Sequence, residues 1–381
     1  MSAARESESE PDATAASVAD RCRDSEFVRL LATPDGDALA ATGLLADALA
    51  SHGVAFHASV TRHPDPTTEA DLTVTVGHAG GDCSVAPPLS ITAHATAEQL
   101  DAAPDPVLAL AGAVAAGDIP GTHADVLEAA GIESAPGLGV PTDDVAEGLA
   151  HTTFAHAAFS GDPEAAASAL AGVDRDGRTL ASLLALAAVE SDEAPPRAAE
   201  AVERALGAHP LDGPFTTLEG YADVLDAVAR ERPGTGVALV LGTPETYREA
   251  ALDAWRDHAV AAHAAVRDAT LARHDGCVVA HVDAAPGALE TAARLLRDFR
   301  SPEPVVLAVE AREDESADDG DTGDDESTTH VACAADRDVS TLAREAATAV
   351  GGTAVARGER ATARVDASET DAFVAAVRGA L

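Results

Sequence analysis

The chain has 381 residues, 65 of them Asp or Glu against 25 basic residues, for a formal net charge of −40. Hydrophobic residues make up 46%, which excludes a disordered chain, and the length suffices for two or three domains with their own cores. Every basic residue is arginine, because the sequence contains no lysine. Such a charge opposes compaction in dilute buffer, but at molar salt the Debye length falls to about 3 Å and the repulsion is screened. An acid-rich, lysine-free, aromatic-poor chain is what a salt-in halophile makes. An acidic, cation-binding secreted protein is the rival reading. The charge leaves nucleic acid open as a partner, through local Arg patches.

Residues 1–21 are polar, acidic and without periodicity, and are expected to be a tail. "EFVRLLAT" (26–33) is a short apolar run, and the helix expected after Asp37 carries Leu44, Leu45, Ala48 and Leu49 on one face. "GVAFHASVTR" (53–62), "DLTVTVG" (71–77) and "LSITAH" (89–94) are further strand candidates. Strand–helix–strand alternation with apolar strands argues for a parallel α/β sheet. A helical region follows from about Ala97 to Ala208, interrupted at Gly117–Gly121, Pro136–Pro141, Gly161–Pro163 and Pro195–Pro196. A second helical stretch runs from about Leu218 to Arg273, broken by "RPGTGVALVLGTPE" (232–245).

A second α/β pattern closes the chain. Strands are expected at 276–284, 303–311, 329–335 and 361–367, and helices at 287–299 and 339–352. The charge run "EDESADDGDTGDDEST" (313–328) reads as a solvated insertion between strands, since its Asp spacing does not fit an EF-hand. Cys22, Cys83, Cys277 and Cys333 lie far apart without CxxC or Cys/His spacing, so no zinc site or disulfide framework is indicated. Cys277 and Cys333 sit in apolar runs and are expected in a core. No apolar run approaches the roughly 18 residues of a membrane span, and the N-terminus lacks a signal-peptide pattern, so no membrane association and a cytoplasmic location are expected.

Four stretches in this order resemble the DHH phosphoesterase superfamily, specifically its archaeal RecJ-like branch, over roughly residues 25–381. "LLATPDGDALAATGLLADAL" (30–49) resembles the first motif, a paired Asp-Gly before a helix of small residues. "FAHAAFSGDPEAAASALAGVDRDGRTLASL" (154–183) resembles a mid-domain block of the archaeal branch. "LEGYADVLDAVARERPGTGVALVLGTPETYREA" (218–250) is similar to the branch's "NACGR" helix and the strand after it. "AATAVGGTAVARGERATARVDASETDAFVAAV" (346–377) is laid out like the glycine-rich, phosphate-cradling turn of the DHH-associated domain. The resemblance implies a two-lobed α/β protein with a parallel-sheet DHH domain at 22–190, a helical connector at 191–273 and a smaller associated domain at 274–381. It places Asp35 at the carboxyl end of the first strand and Gly351–Gly352 facing it across a cleft.

The family binds Mn²⁺ or Mg²⁺ through a His/Asp set and uses two ions to clamp the attacking and leaving oxygens of a phosphodiester. Most of that set is replaced here. The first two ligand positions fall on Leu31 and Thr33, leaving Asp35, with Asp37 as a local substitute. Gly77 stands where an aspartate is expected, with His78 beside it, and the DHH motif itself reads "TAH" (92–94), leaving His94. The glycine pair Gly351–Gly352 is kept, but Arg357 stands where a histidine should end the run. In the "NACGR" helix Asp226 replaces Asn and Ala229 replaces Gly, while Arg230 is kept.

Each residue has two readings. Asp35 and Asp37 bind one ion, or they shape a strand-to-helix turn in which Asp37 caps the following helix. His78 and His94 are surviving ligands or partly exposed polar residues. Arg230 and Arg357, with the glycine pair, grip a nucleic-acid phosphate, or the arginines form salt bridges. The favoured function is a non-catalytic RecJ-like protein in DNA replication or repair. It would be a scaffold associated with GINS or the replicative helicase, as the inactive RecJ relative of eukaryotic replication is. The alternatives are a metal-dependent exonuclease or phosphoesterase whose rearranged site uses Asp35, Asp37, Asp71, His78, Asp82 and His94, and a single-stranded nucleic-acid binder.

Overall fold

The computed structural model describes residues 10–62, 69–190, 194–311 and 327–381. The elements, in chain order, begin with α1 (Glu10–Arg23), β1 (Phe27–Ala32), α2 (Gly36–His52), β2 (Ala55–Val60), β3 (Leu72–Val76), β4 (Cys83–Val85) and α3 (Leu89–Gln99). Then come α4 (Pro106–Ala116), α5 (Ala124–Ala130), α6 (Val145–His151), α7 (Pro163–Ala169), α8 (Gly177–Val189), α9 (Ala198–Ala201), α10 (Leu218–Glu231), α11 (Pro233–Leu241) and α12 (Pro244–Asp268). The remainder is β5 (Thr270–His274), β6 (Cys277–Val282), α13 (Pro286–Phe299), β7 (Val305–Glu310), β8 (Thr328–Ala335), α14 (Ser340–Ala349), β9 (Thr353–Arg357), β10 (Arg360–Asp366) and α15 (Thr370–Gly379). Among the described residues, no helix is long and apolar enough to cross a membrane.

The contacts divide the chain into two units. The first comprises Met1–Ala135, Gly139–Asp143 and Ala208–Trp255, and the second Pro136–Leu138, Asp144–Gly207 and Arg256–Leu381. The first unit is built on a four-stranded, all-parallel sheet in the order β2-β1-β3-β4. Its central strand β1 is buried, as a parallel strand covered on both faces must be. Helix α2 is buried along most of its length, Leu44, Leu45, Ala48 and Leu49 included, which is why its whole surface reads as small and apolar.

The second unit holds a six-stranded mixed sheet, β5-β6-β7-β8-β10-β9, in which only β6 and β7 run parallel. Cys277, Leu307, Val309, Cys333, Ala361, Ala363 and Val365 point to one face and pack with Ala343, Ala347, Phe373 and Val377 of α14 and α15. Helix α13 lies on β7 and β8. The parallel α/β sheet expected in the first part of the chain and a second α/β sheet towards its end are both observed, but the second sheet, with six strands, is the larger of the two.

Several local expectations are corrected. Residues 10–21, expected to belong to a tail, form most of α1 (Glu10–Arg23), which buries Ala15, Val18, Ala19 and Cys22 at helical spacing. Residues 89–94, expected as a strand, begin α3. The buried positions Leu89, Thr92, Ala93, Thr96 and Ala97 follow the helical period once the window extends past residue 94. "GVALVL" (236–241), expected as a strand, is the body of α11, with Pro233 in its first turn and Gly236 and Leu239 buried. A six-residue apolar run has no periodicity long enough to tell the two apart. β5, β9 and α15 have no counterpart among the expected elements. The acidic run at 313–328 falls almost wholly outside the described residues.

Candidate functional site

The carboxyl edge of the first sheet is where open parallel sheets present ligands. Thr33 donates its hydroxyl to Asp35 Oδ2 at 2.6 Å and its amide to the Val76 carbonyl at 3.0 Å, tying the end of β1 to β3. Asp35 is the N-cap of α2: extended in backbone, it accepts the Ala38 amide on Oδ1 at 3.0 Å. Asp105, Asp144, Asp162 and Asp176 do the same for α4, α6, α7 and α8, so this is how an acid-rich chain starts its helices.

Asp37 also caps a helix, but not the one it belongs to. Its side chain is buried, Oδ2 accepting the Leu89 amide at 3.1 Å and Oδ1 the Ser90 amide at 2.8 Å, the first two amides of α3. The N-cap of α3 is Pro88, which has no side-chain donor or acceptor, so the cap arrives from α2. The expectation that Asp37 caps its own helix is corrected: Asp35 performs that role.

Gly77 ends β3 in the left-handed region (φ 88°), and His78 beside it shares a 2.9 Å hydrogen bond between Nε2 and the Thr61 carbonyl. His94 lies on α3, not at a strand end, with Nδ1 3.7 Å from Glu98; burial holds its pKa down, against the opposing pull of Glu98 and Asp105. Asp71 accepts the Phe27 amide at 2.9 Å, which places it at the amino edge of the sheet, a full strand length from Asp35. Asp82 accepts the Thr73 amide at 2.7 Å. The structure therefore brings Thr33, Asp35, Gly77 and His78 to one edge, but Asp71 and Asp82 serve backbone elsewhere. Among the described residues, no group of three or more His, Cys, Asp or Glu is placed to hold a metal ion. Mn²⁺ or Mg²⁺ does not fit this donor set: the oxygens of Asp35 and Asp37 are engaged by backbone amides and a hydroxyl.

Helix α10 closes over the same turn. Asp226 Oδ1 accepts the amide of Gly36, the first residue of α2, at 3.0 Å. Arg230, one turn on, donates to the same carboxylate twice, Nε to Oδ2 at 3.0 Å and Nη2 to Oδ1 at 3.1 Å. A Cβ on Gly36 would sit 2.7 Å from Ala115 Cβ of α4 and 2.9 Å from the Asp226 backbone nitrogen, so the close approach of both helices requires glycine. The Asp226/Arg230 spacing is visible in the sequence as an i, i+4 pair, but its tie to Gly36 is not.

In the second unit, Gly351 (φ 72°) and Gly352 end α14 by returning their amides to Thr348 and Ala347. A Cβ on Gly352 would lie 2.6 Å from the Arg364 carbonyl. Arg357 ends β9 opposite Arg360, across the turn at Gly358.

Residues 269–379 match the family model described as "Uncharacterized protein rrnAC1427, C-terminal domain". The protein rrnAC1427 of Haloarcula marismortui is 46% identical over 399 residues, covering 97% of this chain and 98% of that one. The chain belongs to the rrnAC1427 family. Among solved structures, CDC45 from Entamoeba histolytica superimposes with a TM-score of 0.60 at 9% identity, covering 97% of this chain and 98% of that one. RecJ from Thermus thermophilus, in complex with Mg²⁺, gives 0.51 at 16% identity, covering 97% of this chain but 52% of that one. The chain thus spans about half the length of that RecJ, and this rrnAC1427 family member has the RecJ-like DHH fold.

Proposed function

We propose that this protein is a non-catalytic RecJ-like protein that acts in DNA replication or repair through protein contacts, as a scaffold associated with GINS or the replicative helicase. The observation that carries this reading is the fate of the carboxylates at the sheet edge. Asp35 and Asp37 hold helix N-termini, and Asp226 is bound by Gly36 and Arg230. A two-metal phosphoesterase needs such groups turned towards ions and substrate. The match in length to CDC45, end to end on both sides, supports the same reading, whereas the RecJ match leaves about half of that enzyme without a counterpart.

The test is an assay of the purified chain at molar KCl with Mn²⁺ or Mg²⁺ on 5′-labelled single strands. No nucleotide release is expected. Robust release that is abolished by Asp35→Ala would overturn the proposal and favour the exonuclease. The scaffold role is tested by affinity capture from a halophilic extract at molar salt, with GINS or helicase subunits expected among the retained proteins.

A further inference from the structure

The six-stranded sheet of the second unit has two edges, β5 and β9. The hairpin that each belongs to fixes which backbone groups face outward. In the β9–β10 hairpin, Arg357 pairs with Arg360 across two turn residues. The closing pair exchanges both of its backbone hydrogen bonds, so the alternate residues Ala354 and Ala356 present theirs at the edge. Arg344 of α14 donates to the Ala356 carbonyl, and Ala356 is buried, so this edge is guarded.

β5 is built differently. His274 pairs with Cys277 across Asp275 and Gly276, and the register runs without a bulge to Thr270 opposite His281. By the same alternation His274, Ala272 and Thr270 bond to β6, while Leu271 and Arg273 turn their N–H and C=O groups outward. Thr270, Leu271, Ala272 and Arg273 are all exposed, Leu271 at 37%. The Arg273 side chain does not screen the edge. Its Nε donates to Glu303 Oε1 at 2.6 Å, and Glu303 Oε2 accepts the Gly276 amide at 3.1 Å, so the guanidinium is drawn towards the hairpin turn.

We propose that β5 is an interaction edge for β5 of a second copy of this chain, the two strands running antiparallel about a two-fold axis at Ala272. The outward groups select this occupant. Leu271 and Arg273 are symmetric about Ala272, so each outward N–H meets an outward C=O when Leu271 of one copy lies opposite Arg273 of the other. The side chains suit that register. Leucine packs on the arginine stem, Ala272 meets Ala272 and Thr270 meets His274, so no like charges are opposed. The strand has no carboxylate, although 65 of the 381 residues are Asp or Glu, and Glu303 already balances Arg273. A neutral edge offers a charged foreign strand nothing to pair with, and it is where two chains of net charge −40 meet with least local repulsion. The outcome is one continuous sheet through both copies. A five-residue strand makes a small interface, below the roughly 1,200 Å² of stable complexes, so association in the micromolar range is expected. The pairing lies within the second unit and does not depend on the chemistry of the first.

The experiment is sedimentation equilibrium of the full chain at molar KCl, over a concentration series through the micromolar range. A monomer–dimer equilibrium is expected, weakening as KCl is lowered because repulsion between the copies is then less screened. Leu271→Pro removes an outward donor but no bond to β6, and should weaken dimerisation about tenfold or more. Ala272→Glu, on the exposed strand, sets two carboxylates against each other at the axis and should weaken it similarly. Circular dichroism of both variants should match that of the parent chain. Ala272→Cys tests the register without weakening the pairing. It should form an intermolecular disulfide under mild oxidation, because the two Cα atoms at the axis would stand about 4.5 Å apart. Asp275→Cys, beyond the paired stretch, should not. A monomer at every concentration, association that tightens as KCl is lowered, unchanged dimerisation in either edge variant, or equal cross-linking through positions 272 and 275 would overturn the proposal.

Discussion

Arg230 and Asp226 form a two-point ion pair one helical turn apart, and the carboxylate of that pair also receives the amide of Gly36 from a residue 190 positions away. A single buried carboxylate thereby joins α10 to the strand-to-helix turn at the sheet edge, and the guanidinium supplies its counter-charge from within the chain. Removing one partner of a buried pair leaves an uncompensated charge, at a cost of roughly 3–5 kcal/mol. Arg230→Ala should lower the unfolding free energy, measured by urea titration at molar KCl, by an amount in that range. A loss below about 1 kcal/mol would mean that the pair is not structurally important.

Asp35 and Asp37 are both caps, but in different surroundings. Asp35→Ala should cost about 0.5–2 kcal/mol, the usual effect of losing an N-cap. Asp37 is buried and serves two amides of another helix, so Asp37→Ala adds the penalty of unsatisfied buried donors, about 1–3 kcal/mol. Urea unfolding of the two variants should rank Asp37→Ala as the more harmful. The reverse order would contradict the cross-helix cap.

The glycine pair separates two physical requirements. Gly351 needs a left-handed backbone with open space around it, so Gly351→Ala should cost about 1 kcal/mol. Gly352 presses on the backbone of β10, and Gly352→Ala would place its methyl 2.6 Å from the Arg364 carbonyl. That variant should be the more destabilising of the two in thermal melts. Equal effects would show that the contact is not tight.

His156 and His263, buried with their Nδ1 atoms 3.0 Å apart, predict an acid-side loss of stability. Both imidazoles titrate below their ordinary 6.5 in the folded state, so the unfolded chain binds more protons once the pH falls below that value. Their effect on stability is absent above about pH 6.5 and grows as the pH falls towards 4, where His156 itself titrates. In phosphate-free KCl, the melting temperature should fall across this window, and His156→Gln should flatten the slope by up to about one proton, roughly 1.4 kcal/mol per pH unit. An unchanged slope would indicate that the pair is already charged.

A net charge of −40 predicts dependence on salt. Dilution from about 3 M to 0.1 M KCl lengthens the Debye length from under 3 Å to about 10 Å and restores repulsion among the carboxylates. The urea midpoint should fall steeply on dilution. A midpoint insensitive to KCl would argue against a halophilic design.

Local pattern alone carries β1, α2, β3, β6, α13, β7 and β8, because each has the length and period that its burial demands. The strand order of the first sheet and the roles of its carboxylates need more. Residues 89–94 read as extended over six positions and become helical because Pro88 cannot cap and Asp37, 52 residues before Leu89, can. Helix α1 is hard to read from the sequence because its apolar stripe is only four residues, Ala15, Val18, Ala19 and Cys22.

The sequence by itself determined that Leu31, Thr33 and Gly77, at the end of β1 and just after β3, carry no carboxylate or imidazole, since residue identity needs no coordinates. Only the tertiary structure decided what the remaining carboxylates do. Whether Asp35, Asp37 and Asp226 face a metal or a backbone amide depends on which helix ends lie within about 3 Å. The same holds for His156 and His263, 107 residues apart yet 3.0 Å from one another. Hydrogen bonds act over a single contact distance, and sequence separation says nothing about which contacts the packed chain makes.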